Sequence, residues 1–379
     1  MRDTQHEPCQ IPRVRIVNNL IDETAKVLQL PIGPHSEYDN RGVLRVLLYA
    51  VVQNTEIENA ANALRSMFPS TPSPDVVFER LSRLTVNDAF SLSRALLARN
   101  LKRRKVRRIL EKGPITVAID EHQVPTWSKS GSPYILRSVH HEGTKTAFSV
   151  LSLEIVSDGM RLTLAIVPLA QLAFRERLIL DLLNEAAGYI TVKTVLMDRG
   201  FWSARILDDL DKAGFNYLIP VPRSDPVDAV MLKIRHLMQW VSPWSITSND
   251  CKRTAHFTLT IQDTPRKKRQ RSEDDRLLLA TNRHVDEDDL AALAKEYDGR
   301  WGIETGYRVK EHDFRIKTRT RLIATRLFLW LLQFIVYNLW ILARMNQEKR
   351  DPTVKPLTIT AGQFKLKLLC VLEIIRPTR

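Results

Sequence analysis

Three acidic residues stand where this sequence could build a reactive centre. Asp120 and Asp198 each close a short apolar run, ITVAID and TVKTVLMD, and Glu304 lies in a strongly charged stretch. A carboxylate at the end of a buried strand is costly unless a partner compensates its charge. Taken singly, each aspartate fits a turn or a helix cap better. Together, three carboxylates can hold two divalent cations, Mg²⁺ or Mn²⁺, and this set predicts metal-assisted phosphoryl transfer on nucleic acid.

The stretch Lys295–Lys317 surrounds Glu304 with side chains that can bind phosphate. On one regular helix over residues 288–317, turning about 100° per residue, a single face would carry Glu304 together with Tyr297, Arg300, Arg308, Glu311 and Arg315. Arginine can hold phosphate oxygens bidentately, whereas a carboxylate binds hard cations. A solvated helix face with ordinary ion pairs is the alternative. The aromatic residues interleaved with the arginines argue against that alternative.

The charge balance predicts a polyanionic partner. The chain has 57 Lys and Arg against 43 Asp and Glu, a formal net charge of +14. This excess favours nucleic acid over a membrane surface or an acidic protein. The loop PRKKRQR, with Lys267 and Lys268, is either a phosphate-binding loop or a disordered solvated one. The three cysteines have no CxxC spacing, which argues against disulfides and a thiolate zinc site and fits a reducing cytoplasm.

The elements that must position these residues follow from the apolar periodicity. Residues 1–110 read as helical, and three short helices around a Pro/Ser-rich break resemble a helix-turn-helix unit. Strand-like runs alternate with helices over 111–221, which predicts a mixed α/β core. A β-rich insertion is expected over 222–287. The core then resumes over 288–345, and a basic tail with a last helix occupies 346–379.

One segment could suggest a membrane span. Leu327–Ala343 is strongly apolar, but it is short for a span and carries Gln333 and Asn338. We expect it to be a buried core helix, and we expect no membrane partner.

Asp120, the MDRGFW sequence around Asp198 and the helix with Glu304 together resemble the DDE transposases of insertion sequences. The similarity is to an IS-four-like branch, whose last carboxylate lies in a Y-x2-R-x3-E-x6-K signature. The segment YDGRWGIE, residues 297–304, fits that signature through the glutamate. The signature lysine would fall at Glu311, and Lys310 stands one residue earlier. On a regular helix Lys310 would lie off the Glu304 face, so Arg308 and Arg315 are the better candidates to bind phosphate.

The resemblance implies a ribonuclease-H-like core with the β-rich insertion, and Asp120, Asp198 and Glu304 as catalytic residues and ligands of two metal ions. It also implies double-stranded DNA as substrate, both the terminal inverted repeats of an element and the target, held by a homodimer in the cytoplasm at the nucleoid. Trp202 either stacks on an extruded base or packs a helix. The residues expected to contact DNA are Tyr297, Arg300, Arg308, Lys310, Arg315, Trp202, Arg199, Lys267 and Lys268.

The predicted activity is hydrolysis of phosphodiester bonds at element ends, followed by strand transfer into target DNA. Two alternatives remain, a metal-dependent nuclease of the same fold that cuts without joining and a non-catalytic DNA-binding derivative. Glu121 and Asp313 are alternative carboxylates that rank below the chosen three.

Overall fold

The computed structural model describes residues 14–31, 36–127, 131–137, 143–157, 161–171, 173–250, 252–263, 276–347 and 359–372. These form two compact units, one from Met1–Val106 with Gly306–Arg379 and one from Arg107–Thr305. Lys267 and Lys268, predicted to contact DNA, lie outside the described residues.

The helices and strands follow one another in the order α1 (Val14–Val27), α2 (Asn40–Gln53), α3 (Ile57–Met67), α4 (Pro74–Ser82), α5 (Val86–Leu101), α6 (Arg104–Leu110), β1 (Ile115–Pro125), β2 (Ile135–Arg137), β3 (Thr146–Ile155), β4 (Thr163–Pro168), α7 (Arg175–Ala187), β5 (Val192–Leu196), α8 (Ala204–Lys212), β6 (Tyr217–Pro220), α9 (Asp225–Lys233), β7 (Gln239–Thr247), β8 (Thr254–Asp263), β9 (Arg276–Thr281), α10 (Leu290–Asp298), α11 (Trp301–Asp313), α12 (Ile323–Gln347) and α13 (Ala361–Val371).

The first unit is helical and is built around α12. This helix packs against α5, α4, α1 and α13, and its aromatic residues interlock, with the Phe334 ring 5.1 Å from that of Trp330 and 6.1 Å from that of Tyr307. Its length and composition would suit a membrane span, but 94% of its apolar window is buried inside the protein. The structure therefore shows the expected buried helix. Its burial follows because the surface of the helix is apolar all round.

The second unit is organised on one mixed sheet. Its described strands run in the order β2-β3-β1-β5-β6-β9-β8-β7. β4 also pairs with β3, along the edge opposite β1 that β2 uses further along the strand. β1 is antiparallel to β3 but parallel to β5, which is in turn parallel to β6. Helix α7 packs on β3 and β4, and α8 packs on β8. The mixed α/β class predicted from the sequence is confirmed.

The strands predicted as a β-rich insertion continue this sheet. β9 pairs antiparallel with β6 through Ile219 and Ala280, and β8 and β7 follow outward. β7 forms the edge and carries Pro243, which cannot donate a ladder hydrogen bond and so discourages further strand pairing.

The prediction of one helix over 288–317 is wrong. The structure has two helices, because the chain tightens at Gly299 and Arg300. There the amide of Gly302 donates to the carbonyl of Gly299, and that of Ile303 to the carbonyl of Arg300, both at 2.9 Å. A Cβ atom on Gly299 would lie 3.0 Å from the Glu296 carbonyl oxygen, so glycine permits this break. The second helix ends at Asp313, which leaves Arg315 outside it.

Candidate active site

Asp120 and Asp198 lie side by side where the parallel pairing of β1 with β5 ends, although β1 itself continues beyond Asp120 to Pro125. Ala118 of β1 is in register with Leu196 of β5, and each aspartate lies two residues further along its strand direction. Because side chains alternate along an extended chain, both aspartates are on the same face of the sheet as that registered pair. Adjacent strands are about 4.8 Å apart, so the two carboxylates are close neighbours.

The MDRGFW segment holds Asp198 at this edge. Asp198 has an extended backbone and caps a short 3-10 turn, Arg199–Phe201. The Oδ1 atom of Asp198 accepts a hydrogen bond of 2.8 Å from the Gly200 amide. A Cβ atom on Gly200 would lie 3.0 Å from that same oxygen. Glycine therefore allows the carboxylate to fold back over its own turn.

Glu304 joins the site through Arg300. An arginine nitrogen lies 2.7 Å from Glu304 Oε1, and the two side chains are 12% and 34% exposed respectively. Both residues also interact electrostatically with Asp120, which places them over the same edge of the sheet. Burial alone would lower the pKa of Arg300, but the Tyr297 hydroxyl and the Glu304 and Asp120 carboxylates raise it overall. Arg300 is therefore a permanent positive charge among the acids.

The crowding of acids is strongest at Asp120. Burial, the nearby Asp198 carboxylate and, more weakly, Glu304 raise its pKa to about 7, against the opposing effects of Arg300 and the Glu121 amide. That amide donates a hydrogen bond of 2.9 Å to Asp120 Oδ1. At neutral pH a second negative charge is thus costly here, which is the condition that a bound cation relieves.

Tyr297 positions the first of the two helices. Its hydroxyl donates to the Met197 carbonyl oxygen over 3.3 Å, one residue before Asp198. Burial raises the pKa of Tyr297 to about 12, so the hydroxyl stays protonated near neutral pH. It therefore acts as a hydrogen-bond donor that ties α10 to the end of β5 and not as a proton acceptor.

The donor set fits a hard divalent cation, because it consists of carboxylate oxygens under mutual repulsion. Within the described ranges, however, no group of three His, Cys, Asp or Glu side chains is arranged to hold one ion. Two of the carboxylate oxygens already have partners, since Glu304 Oε1 is held by Arg300 and Asp198 Oδ1 by the Gly200 amide. Asp120 and Asp198 are the adjacent pair, and Glu304 is near enough to raise the pKa of Asp120.

A family model described as a transposase DDE domain matches residues 111–339, well over half of the chain. The chain belongs to the transposase DDE domain family. The match covers Asp120, Asp198 and Glu304, and with the mixed sheet it confirms the ribonuclease-H-like core. Members of this family are nucleic-acid-processing enzymes that generally use divalent metal ions. No curated protein matches the chain.

The transposase domain places Trp202 beside the β-rich strands. Its ring meets that of Phe257 edge to face at 5.5 Å, and it lines a cleft of about 560 Å³ together with Trp244. Trp202 is half-buried, and its contact with Phe257 on β8 supports a packing role for this side chain. Arg199, in the turn that Asp198 caps, is exposed.

Lys310 is buried within the helical unit of this transposase. The residue is 0% exposed, and its Nζ lies 4.6 Å from the ring centre of Phe334 and 4.7 Å from those of Tyr307 and Tyr337. The DNA contact of Lys310 stays a prediction, and its burial argues against that contact, because α11 turns this side chain onto the aromatic residues of α12. The angular offset from Glu304 already indicated that Lys310 leaves the acidic face.

The arginines predicted beyond Glu304 belong to the helical unit. Arg308 lies on α11 and Arg315 follows the helix, and both are exposed, as is Glu311 at the position of the signature lysine.

Sequence reasoning missed Arg175, at the start of α7. It forms an ion pair of 2.6 Å with Glu121, the residue after Asp120. No motif marks Arg175, and its importance follows only from the strand and turn that it meets in space.

Proposed function

We propose that this transposase domain hydrolyses phosphodiester bonds at the ends of a mobile element and then joins the freed 3′-hydroxyl to target DNA. The observation that carries the proposal is the pair of aspartates on adjacent parallel strands beneath the Arg300–Glu304 pair. The Tyr297, Arg300 and Glu304 spacing supports assignment to the IS-four-like branch. The exposed basic side chains and the net charge of +14 support double-stranded DNA as the substrate.

The carboxylates of Asp120, Asp198 and Glu304 would hold two Mg²⁺ or Mn²⁺ ions, which when bound activate an attacking oxygen and stabilise a leaving one. Asp120 has to lose its proton before both of its oxygens can act as ligands, and its pKa of about 7 places that loss near neutral pH. Arg300 orients Glu304 and balances part of the negative charge. Tyr297 fixes the helix that carries these groups.

The remaining parts of the proposal concern assembly. We propose a homodimer that brings two element ends together, at the nucleoid in the cytoplasm. Arg199, Arg308 and Arg315 would contact the DNA backbone, and Trp202 would stack on a base displaced near the cleavage site.

Asp198→Asn tests the chemistry. The variant should cut a duplex from the DNA flanking the gene at least about 100-fold more slowly in Mg²⁺, because a metal ligand is lost, while its affinity for that duplex stays within about threefold. Asp181→Asn, at an exposed position on α7, is the matched control and should cut normally. Undiminished Mg²⁺-dependent cutting by Asp198→Asn would reject the proposed site.

A second assay separates the transposase from a nuclease of the same fold. A precleaved end with a free 3′-hydroxyl should be joined to a supercoiled plasmid by the wild type in Mg²⁺. Cutting of intact duplex without any joined product would assign the chain to the nuclease alternative.

A further inference from the structure

Arg175 links the two chain segments that carry Asp120 and Asp198. One of its terminal nitrogens lies 2.6 Å from Glu121 Oε2, and the other donates to the Gly200 carbonyl oxygen over 3.4 Å. Glu121 follows Asp120 on β1, and Gly200 lies in the turn that Asp198 caps. One side chain therefore spans the segments of both acids.

The Glu121 end of this link is rigid. Its Oε1 accepts hydrogen bonds from the Ser149 hydroxyl at 2.6 Å and from the Gln123 amide at 3.0 Å, so both of its oxygens are engaged. Because neighbouring residues on a strand face opposite sides of the sheet, Glu121 points away from the Asp120 face. These contacts make Glu121 part of the support and remove it as an alternative metal ligand.

The other end fixes the turn of Asp198. Gly200 donates its amide to Asp198 and accepts from Arg175 at its carbonyl, so this one residue is held on both sides. The Arg175 guanidinium also lies 5.6 Å from the ring centre of Phe201, which is buried in the same turn. Shortening Arg175 would remove two contacts of this turn, one at the Gly200 carbonyl and one at the Phe201 ring.

We propose that Arg175 is a positioning residue that sets the separation of Asp120 and Asp198 and thereby the affinity for divalent cations. This inference rests on the proposed function. A guanidinium is a planar fork that can meet two acceptors in fixed directions, which a lysine ammonium does not reproduce. Residues that orient metal ligands typically change metal affinity by about 10–100-fold when they are replaced.

The test uses the full chain with Arg175→Gln, Arg175→Lys and Glu121→Gln. The matched control is Arg177→Gln, which makes the same change at an exposed position two residues along α7. The first readout is Mn²⁺ binding in the absence of DNA, measured from the loss of the free-ion electron paramagnetic resonance signal. The second is the Mg²⁺ concentration that gives half-maximal cleavage of the flanking-DNA duplex.

We expect Arg175→Gln to weaken Mn²⁺ binding and to raise the half-maximal Mg²⁺ concentration, each about tenfold, while DNA affinity stays unchanged. Arg175→Lys should recover only part of the loss. Because Arg175 and Glu121 share one contact, the double substitution to glutamine should cost less than the sum of the two single ones. If Arg175→Gln does not fold, as judged by circular dichroism, the Arg175→Lys and Glu121→Gln variants decide the outcome.

If Arg175→Gln binds Mn²⁺ and depends on Mg²⁺ in the same way as Arg177→Gln, the positioning role of Arg175 is overturned. A loss confined to DNA affinity would also overturn it and would make Arg175 a phosphate contact instead. Either result leaves the proposed function standing, provided that the wild type cuts in Mg²⁺ and Asp198→Asn does not. A wild type that neither binds Mn²⁺ nor cuts would instead remove the proposed function.

Discussion

The charge on Asp120 opposes folding, because burial and two neighbouring carboxylates make its ionised form costly. Such unfavourable charges are found at functional sites where a ligand offsets them, and a pair of divalent cations would offset the charge of Asp120. Arg300 offsets only part of this cost of ionising Asp120, since its guanidinium also pairs with Glu304. Asp120 and its charged neighbours therefore influence both the stability of this part of the sheet and its expected affinity for divalent cations.

Asp120→Asn should raise the melting temperature at pH 8 in the presence of EDTA. The folded pKa, about 7, lies above the ordinary value of 3.8, so the folded state holds this proton more tightly than the unfolded chain does. The associated stability is fully present below pH 4 and is lost as pH rises through 7. Removing the charge should recover on the order of 1–2 kcal/mol at pH 8 after allowance for screening, and less at pH 5.

Thermal melts at the two pH values measure this effect, with Asp181→Asn as the control. Millimolar Mg²⁺ should then stabilise the wild type more than Asp120→Asn, because the variant lacks a ligand. Equal melting temperatures for wild type and variant at pH 8 would show that the acidic pair is not under strain.

At the scale of elements, α10 is fixed across the length of the parallel strands. Its Tyr297 reaches the carboxyl end of β5, while Glu296 reaches the opposite end of the sheet. Glu296 accepts from the Thr116 hydroxyl at 3.1 Å and pairs with Lys193 at 3.2 Å and with Arg283 at 3.0 Å. Two successive residues in the last turn of α10 thus tie this helix to both ends of β5, before the chain breaks and brings Arg300 and Glu304 to the acids.

Glu296→Gln should destabilise the protein by about 1–2 kcal/mol at neutral pH, because two cations lose their partner. Burial by itself would raise the pKa of Glu296, but hydrogen bonding and the charges of Arg283 and Lys193 lower it below its ordinary 4.5. Its stabilisation is therefore present above pH 4.5 and is lost as pH falls through the folded pKa.

The difference in melting temperature between wild type and Glu296→Gln should accordingly be large at pH 7 and small at pH 3. Glu287→Gln, at an exposed position just before α10, provides the control and should melt like the wild type. A difference that does not change between the two pH values would mean that the carboxylate charge plays no part in holding α10.

At the scale of the whole molecule, the positive charge is not uniformly available to DNA. Arg308 and Lys310 lie two residues apart on α11, yet the first is exposed and the second is enclosed by three aromatic rings. Net charge alone therefore overstates the number of side chains that can release counterions from a phosphate backbone. Burial decides which of them contribute.

Arg308→Ala and Lys310→Ala should separate these two roles. Arg308→Ala should lower the slope of log affinity against log salt by about one and leave the melting temperature unchanged. Lys310→Ala should leave the slope unchanged but destabilise the helical unit by about 2 kcal/mol or more, through lost packing and cation–π contacts. Duplex binding at several salt concentrations, together with thermal melts, measures both; a lowered slope for Lys310→Ala would place that residue at the DNA.

Much of the architecture could be predicted from the sequence, because it depends on local periodicity. The apolar runs that end at Asp120 and Asp198 became neighbouring parallel strands, and the apolar Leu327–Ala343 segment became a buried helix. The single helix over 288–317 was wrong, since the tight turn at Gly299 depends on the packing of α10 against the sheet. Periodicity counted beyond Asp313, where the second helix ends, misplaced Arg315.

The sequence by itself determined which residues could carry the chemistry, because strand-end acids and the Tyr297–Arg300–Glu304 spacing are written in consecutive positions. Only the tertiary structure decided how those residues are held. The position of Arg300 and Glu304 beside Asp120, the enclosure of Lys310 and the link formed by Arg175 each join segments that are remote along the chain or face a neighbouring helix. Contacts of that kind depend on how elements pack, and residue spacing along one element does not encode them.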